Sequence, residues 1–268
     1  MARNLVGVGL LLLACLPADP PGFRRDAGRT LGRSSSGKLP KTTTLRAQRP
    51  PSAEPSAVPS AEAPPEDASY RLINEALNED FNRPELGPDW NPTSPAWRIH
   101  DGRLCAKGAK NHPVWFNRRL PKNAHIEFDA TSGSPEGDLK AEAWGDGHSV
   151  PAGTTYDDAT SYIVVLGGWK NRLNVLARLN EHAANRLELR LLPGTEDPRL
   201  QPIVEGRSYH VEIERDDGHT VRVTVDDQLL HQLDDPAPLG GPDHEHFAFN
   251  DWDVPVCFDD LLVTPLGE

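Results

Sequence analysis

The stretch Tyr209–Val225, YHVEIERDDGHTVRVTV, decides the fold. Tyr209, Val211 and Ile213 alternate with His210, Glu212 and Glu214; Val221, Val223 and Val225 then alternate with Arg222, Thr224 and Asp226. A period of two puts each apolar set on one face of an extended strand. Asp217-Gly218 between the two runs predicts a hairpin, because a type I′ turn requires positive φ at both central residues. A second tight turn at Asp226-Asp227 returns the chain into Leu229-Leu230-His231-Gln232-Leu233.

The same pattern extends outward from this hairpin. Further strands are expected near residues 97–106, 113–119, 124–131, 138–145, 160–168, 173–180, 245–250 and 254–264. Helical periodicity is nearly absent, with at most a turn of helix between Glu181 and Leu192. About a dozen short strands joined by Gly, Pro and Asp turns predict an all-β, two-sheet antiparallel β-sandwich of the jelly-roll kind over residues 70–268.

The preceding residues are a different material. Residues 1–68 hold nine Lys and Arg against six Asp and Glu, and residues 69–268 hold 19 against 34, within a chain of 268 residues and net charge -12. Such an acidic domain repels phosphate backbones, which argues against nucleic acid as a partner. Met1-Ala2-Arg3-Asn4 and the apolar run Leu5–Ala14 read as a secretory leader too short to span a bilayer. The run ends in Leu12-Leu13-Ala14-Cys15, which resembles a bacterial lipobox, so residues 1–15 are expected to be a lipoprotein signal peptide with lipidation at Cys15. The alternative is an ordinary signal peptide cleaved nearby. Residues 16–69, rich in Pro, Ser and Ala, read as a disordered tether. The expected location is exported and membrane-anchored, at the outer membrane or cell surface, with the lipid as the only membrane contact.

Strand phase sorts the candidate functional residues. Ile126, Phe128 and Ala130 take the core phase, leaving His125, Glu127 and Asp129 outside; Leu139, Ala141 and Ala143 do the same, leaving Lys140, Glu142 and Trp144. In the next run Leu173, Val175, Ala177 and Leu179 take the core phase, which exposes Asn174, Leu176, Arg178, Asn180 and His182. Gly167-Gly168 predicts a bulge or bend that re-aims Trp169. Flat aromatic faces beside amide, carboxylate and guanidinium groups suit a saccharide. The expected ligand-binding set is therefore Trp144, Trp169, Arg178, Asn180, His182, Glu127, Asp129 and Glu142, sharing one groove. A solvated cross-strand network of Arg178 with Glu127 or Glu142 is the competing reading.

Three segments carry a resemblance. EDFNRPELGPDW (Glu79 to Trp90), WRIHDGRL (Trp97 to Leu104) and VPVCFDDLLVTPL (Val254 to Leu266) resemble the opening and closing strands of the concanavalin A-like, LamG-like jelly-roll superfamily. Within it, the chain is similar to bacterial exported domains of the 3-keto-disaccharide hydrolase-like kind and to uncharacterised lipoproteins, over most of residues 76–266. The resemblance implies that the first and last strands lie in one sheet. Cys105 and Cys257 would then both point away from the core, where a bridge is geometrically open to them.

Function stays divided at this level. Glycan binding leads; glycoside hydrolysis on the same fold and a structural or protein-interaction role in the envelope follow. Laminarinase-type enzymes carry Glu, Asp and Glu on one strand face; Glu127 and Asp129 match the first two, but Ala130-Thr131-Ser132 follows and only Glu142 on another strand remains as a third carboxylate. If the chain is an enzyme, these three are its acid/base and nucleophile candidates. No cofactor is expected. His244-Glu245-His246, with Asp251 or Asp253, is a weak transition-metal candidate, and the oxygen-rich NDWD at 250–253 and DDA at 157–159 are weak calcium candidates.

Overall fold

The computed structural model describes residues 71–267. The lipobox at Cys15, the leader and the stretch 16–69 lie outside the described residues. Among the described residues fifteen strands form two antiparallel sheets. Sheet 1 runs β13 (Gln228–Asp234), β12 (Thr220–Val225), β11 (Ser208–Arg215), β6 (Ala124–Ser132), β15 (Val256–Pro265), β4 (Arg103–Ala106), β3 (Arg98–His100), with β1 (Leu77–Glu79) also pairing to β15. Sheet 2 runs β10 (Leu187–Arg190), β9 (Leu173–Arg178), β8 (Tyr162–Gly167), β7 (Leu139–Gly145), β14 (His246–Asn250), β5 (Val114–Phe116), β2 (Trp90–Pro92). This is the two-sheet antiparallel β-sandwich that the strand pattern predicts. The first and last strands are neighbours, Leu77 facing Val263.

Alternation does what the sequence requires of it in sheet 1. Ile126, Phe128 and Ala130 face inward beside Ile213, Val211 and Tyr209 of β11. The inner faces of the two sheets meet in an aromatic cluster. Phe249 of β14 stacks on Phe258 of β15 at 4.2 Å between ring centroids, and Phe128 meets Phe249 edge-on at 5.1 Å. Such offset and T-shaped contacts add to what burial of the rings already contributes.

Turn chemistry differs from expectation in an instructive way. The two-residue turn with both residues left-handed is Asp226-Asp227, at φ 48 and 65. At the other hairpin only Gly218 has positive φ; Asp217 instead accepts the backbone N–H groups of His219 and Thr220, which closes a longer turn. The helical turn expected after Glu181 is also corrected: Leu187–Arg190 is an edge strand pairing with β9, its Leu187 and Leu189 alternating with Glu188 and Arg190.

Cys257 and Cys105 are direct cross-strand partners on β15 and β4, and they are joined by a disulfide. Leu104, Ala106, Val256 and Phe258 on either side of them face the core. Among the described residues no helix is long and apolar enough to cross a membrane.

Candidate functional site

The outer face of sheet 2 is where chemistry collects. Register places Glu142, Ile163 and Ala177 side by side on that face, with Lys140, Val165 and Val175 in the next row. Two of these are charged, yet Lys140 is 2% exposed and Glu142 fully buried. The segment between β7 and β8 folds over them. Trp115 of β5 donates its indole N–H to Ser149 O at 2.9 Å, and Tyr156 and Ala159 close a small apolar cluster with Ile163, Val165, Val175 and Ala177.

Burial of charge demands partners, and both groups have them. The Glu142 carboxylate accepts from Tyr156 Oη at 2.7 Å, Ser161 Oγ at 2.5 Å and Asn250 Nδ2 at 2.6 Å. Burial pushes this carboxyl above the ordinary Glu value even so, the three donors opposing. Lys140 Nζ donates to Asn111 Oδ1 at 2.7 Å and to both Glu181 oxygens at 3.1 and 3.0 Å. Burial disfavours its charge, but Glu181 and Asp138 more than offset that, so its pKa lies above the ordinary lysine value.

Beyond the covering segment this face opens into a cavity of about 630 Å³. Its volume is in the range of small-molecule sites, about 300–1,000 Å³. Asn111, Asp138, Lys140 and Glu181 line it, together with Trp169, Lys170 and Arg172 from the β8–β9 connection, His182 after β9, and Trp252 and Asp253 after β14.

The β8–β9 connection is the unusual element. Gly167 is left-handed at φ 68, and Trp169, Lys170 and Asn171 follow at φ 53, 62 and 59. Three successive left-handed residues other than glycine cost about 1–2 kcal/mol each. The Asn171 side chain holds the turn: Nδ2 donates to Pro135 O and Ile203 O, and Oδ1 accepts from Ile203 N–H. At Gly167 a Cβ would come within 2.7 Å of Ile203, so the backbone also approaches too closely for a side chain. Of the bulge or bend expected at Gly167-Gly168, the chain makes the bend, a left-handed turn that delivers Trp169 to the cavity. Arg186 lies over that indole at 4.4 Å and His182 meets it edge-on at 5.6 Å.

Six tryptophans sort into two classes. Trp90, Trp97, Trp115 and Trp144 are buried, and each indole N–H donates within the protein: to Glu79, to His112 O, to Ser149 O and to Pro121 O. Trp169 and Trp252 are half-buried, both line the cavity, and neither indole N–H donates to any group among the described residues. Lys110 sits over Trp252 at 4.6 Å.

The expected groove is not assembled as the sequence suggested. Trp169 and His182 reach the cavity, and Glu142 lies beneath the covering segment on the same face. Trp144 does not: it is 1% exposed, with Arg215 over its ring at 4.0 Å and Tyr162 edge-on. A bulge is the cause. Register with β14 shifts between His246 and Ala248, so Ala143 and Trp144 together oppose one residue, and φ 54 at Trp144 turns its side chain into the core.

The phase of β9 is also reversed. Leu176 joins the main core, Asn174 is buried with its side chain accepting from Gly167 N–H, and Leu173, Val175 and Ala177 lie on the outer face. Arg178 pairs across the sheet with Tyr162, whose ring is in the core; its guanidinium donates to Asp235 Oδ2 at 2.7 Å and Ala237 O at 2.8 Å, bordering a separate recess. Asn180 accepts the His182 backbone N–H and caps the turn.

Glu127 and Asp129 lie on the outer face of sheet 1, the opposite side of the sandwich. There Glu127 pairs with His125 and His210 and Asp129 with His210, while His125 also meets Glu212 and Glu214 of β11. Neither of the expected networks with Arg178 forms. His246 is buried with Nδ1 against Phe116 O, and His244 meets Thr160 O. Among the described residues no group of three or more His, Cys, Asp or Glu is placed to hold a metal ion.

Sequence reasoning missed Asp138, Glu181, Asn111 and Trp252. Trp252 carried a signal, an aromatic residue in a loop outside any strand period; the other three did not.

Comparison of the sequence with protein-family models and with curated proteins finds no match. Solved structures of similar shape exist. The chain is similar to carbohydrate binding module CBM66 from Bacillus subtilis, at 16% identity and TM-score 0.49, covering 66% of this chain and 95% of the other. It is similar to the Emp46p carbohydrate recognition domain at 12% identity and TM-score 0.48, covering 70% and 95%, and to alginate lyase Aly36B at 11% and 0.46, covering 73% and 100%.

Proposed function

We propose that this chain is a saccharide-binding protein whose site is the cavity on the outer face of sheet 2, displayed outside the cell on a tether lipidated at Cys15. The observation that carries the reading is the pair Trp169 and Trp252: two half-buried indoles in one cavity, each with an N–H that donates to no group among the described residues. Aromatic bodies with polar handles suit sugars, whose C–H faces are apolar and whose hydroxyls both donate and accept. Binding is favoured over hydrolysis by the state of Glu142. Its carboxylate is fully buried and held by three donors, so it has no approach to a glycosidic bond. Tyr156 is no better placed as a base, since burial and the adjacent Glu142 push its hydroxyl well above the ordinary tyrosine value.

A glycan array probed with the wild-type protein, Trp169→Ala and Trp252→Ala tests this. Each substitution is expected to weaken binding about tenfold or more, as loss of an aromatic anchor does. Absence of any bound glycan, or full binding by both variants, would overturn the reading.

A further inference from the structure

Charge around the cavity is almost completely paired off. Lys140 is held by Glu181 at 3.0 Å, Lys110 by Asp253 at 2.5 Å and Lys170 by Glu136 at 4.0 Å. Two charged side chains remain. Asp138, half-buried in the lining, has no hydrogen bond or ion pair among the described residues, and neither does the exposed Arg172 guanidinium. A carboxylate and a guanidinium that make no hydrogen bond or ion pair among the described residues thus line the same cavity, beside the two indoles.

Resting on the saccharide reading, we infer that the cavity takes an uncharged glycan whose hydroxyl groups donate to Asp138 and accept from Arg172, and that it turns away uronate- and sulfate-bearing glycans. An ionised carboxylate only accepts, so Asp138 needs donors from its ligand, and sugar hydroxyls supply them. The Arg172 guanidinium only donates, and sugar hydroxyl oxygens accept. A ligand carboxylate or sulfate has no proton to give Asp138. Glu136, Glu181 and Asp253 of the lining are each already matched by a lysine, so Asp138 is the carboxylate that such an anion would have to sit beside. Burial pushes the Asp138 carboxyl above its ordinary value; Glu181, Asp253 and Glu136 push the same way and Lys140 opposes. A second anion beside it is correspondingly disfavoured.

Affinity electrophoresis of the intact chain separates the outcomes. The gels carry laminarin, mannan or dextran as neutral polymers, and dextran sulfate, alginate or polygalacturonate as acidic ones. The expected result is retardation by at least one neutral polymer and by none of the acidic ones. That retardation should vanish in Trp169→Ala and weaken about tenfold in Asp138→Asn, as loss of a charge-assisted hydrogen bond does. Asn tolerates the left-handed φ of 70 found at position 138, so the variant keeps the backbone. Trp169-dependent retardation by an acidic polymer, or full affinity in Asp138→Asn, overturns this inference and leaves the saccharide reading standing. Retardation by no polymer at all overturns both.

Discussion

Replacing Glu181 by Gln removes the countercharge from a lysine that has no water to fall back on. The Lys140 side chain is 1% exposed and that of Glu181 8%, and the carboxylate supplies two of the three acceptors on Nζ. Removing one member of a buried ion pair costs about 3–5 kcal/mol, because the remaining charge is left uncompensated. Gln keeps one acceptor oxygen, which points to the lower end, about 3 kcal/mol. For a domain of this size each kcal/mol moves Tm by about 2–4 °C, so the variant should melt about 6–12 °C below wild type at pH 7.

The gap should depend on pH. In wild type the folded pKa of Lys140 is raised, so its contribution is complete below the ordinary lysine value and fades only as pH rises through the folded value. In the variant burial wins and the folded pKa drops below the unfolded one; the unfolded chain then binds more protons, and stability rises with pH. The difference in Tm should therefore narrow between about pH 7 and pH 10, near the unfolded lysine pKa. Circular-dichroism melts at both values measure it. A shift under about 2 °C at pH 7, or a gap that widens with pH, would refute the assignment of Lys140 as a buried ammonium held by Glu181.

Asp251 offers the opposite perturbation. Burial pushes its carboxyl up to about 6, opposed by backbone N–H groups such as that of Ala109, which donates to Oδ2; Oδ1 is buried with no hydrogen bond of good geometry among the described residues. A raised carboxyl is harmless below its unfolded value and increasingly destabilising as pH rises towards the folded one. Asp251→Asn, which retains the acceptor for Ala109, should thus gain about 1–3 kcal/mol in urea unfolding at pH 7 and nothing near pH 4. A gain of equal size at both pH values would sink the argument. The Cys105–Cys257 bridge spans 152 residues of sequence. Cys105→Ala/Cys257→Ala should lose about 2–5 kcal/mol. Dithiothreitol should lower the wild-type Tm and leave that of the variant unmoved; equal Tm values without reductant would remove the bridge from the account.

The strands were readable because a half-buried sheet leaves a period-two signature, and β6, β11 and β12 carry it cleanly. The site was less readable for two reasons. First, β8 and β9 are buried on both faces: Val164 and Leu176 enter the main core while Ile163, Val165, Val175 and Ala177 lie under the covering segment. With apolar residues on both sides, alternation no longer says which is inward. Second, one extra residue at Ala143-Trp144 resets the phase of β7, and a bulge has no composition of its own. Whether two outer-facing strands look the same way depends on which sheet each joins, and that is a long-range fact. Glu127 and Glu142 were alike in sequence pattern and lie on opposite sides of the sandwich.

The left-handed turn at Trp169–Asn171 has a consequence for recognition. Its conformational cost falls on the folding equilibrium and is met before any ligand arrives, with Asn171 and the packing at Gly167 keeping it in place. The indole therefore waits in its final orientation, and a ligand docking on it would lose little to the ordering of a floppy loop. Such a site exchanges thermal robustness of the scaffold for a receptor surface that is rigid from the outset.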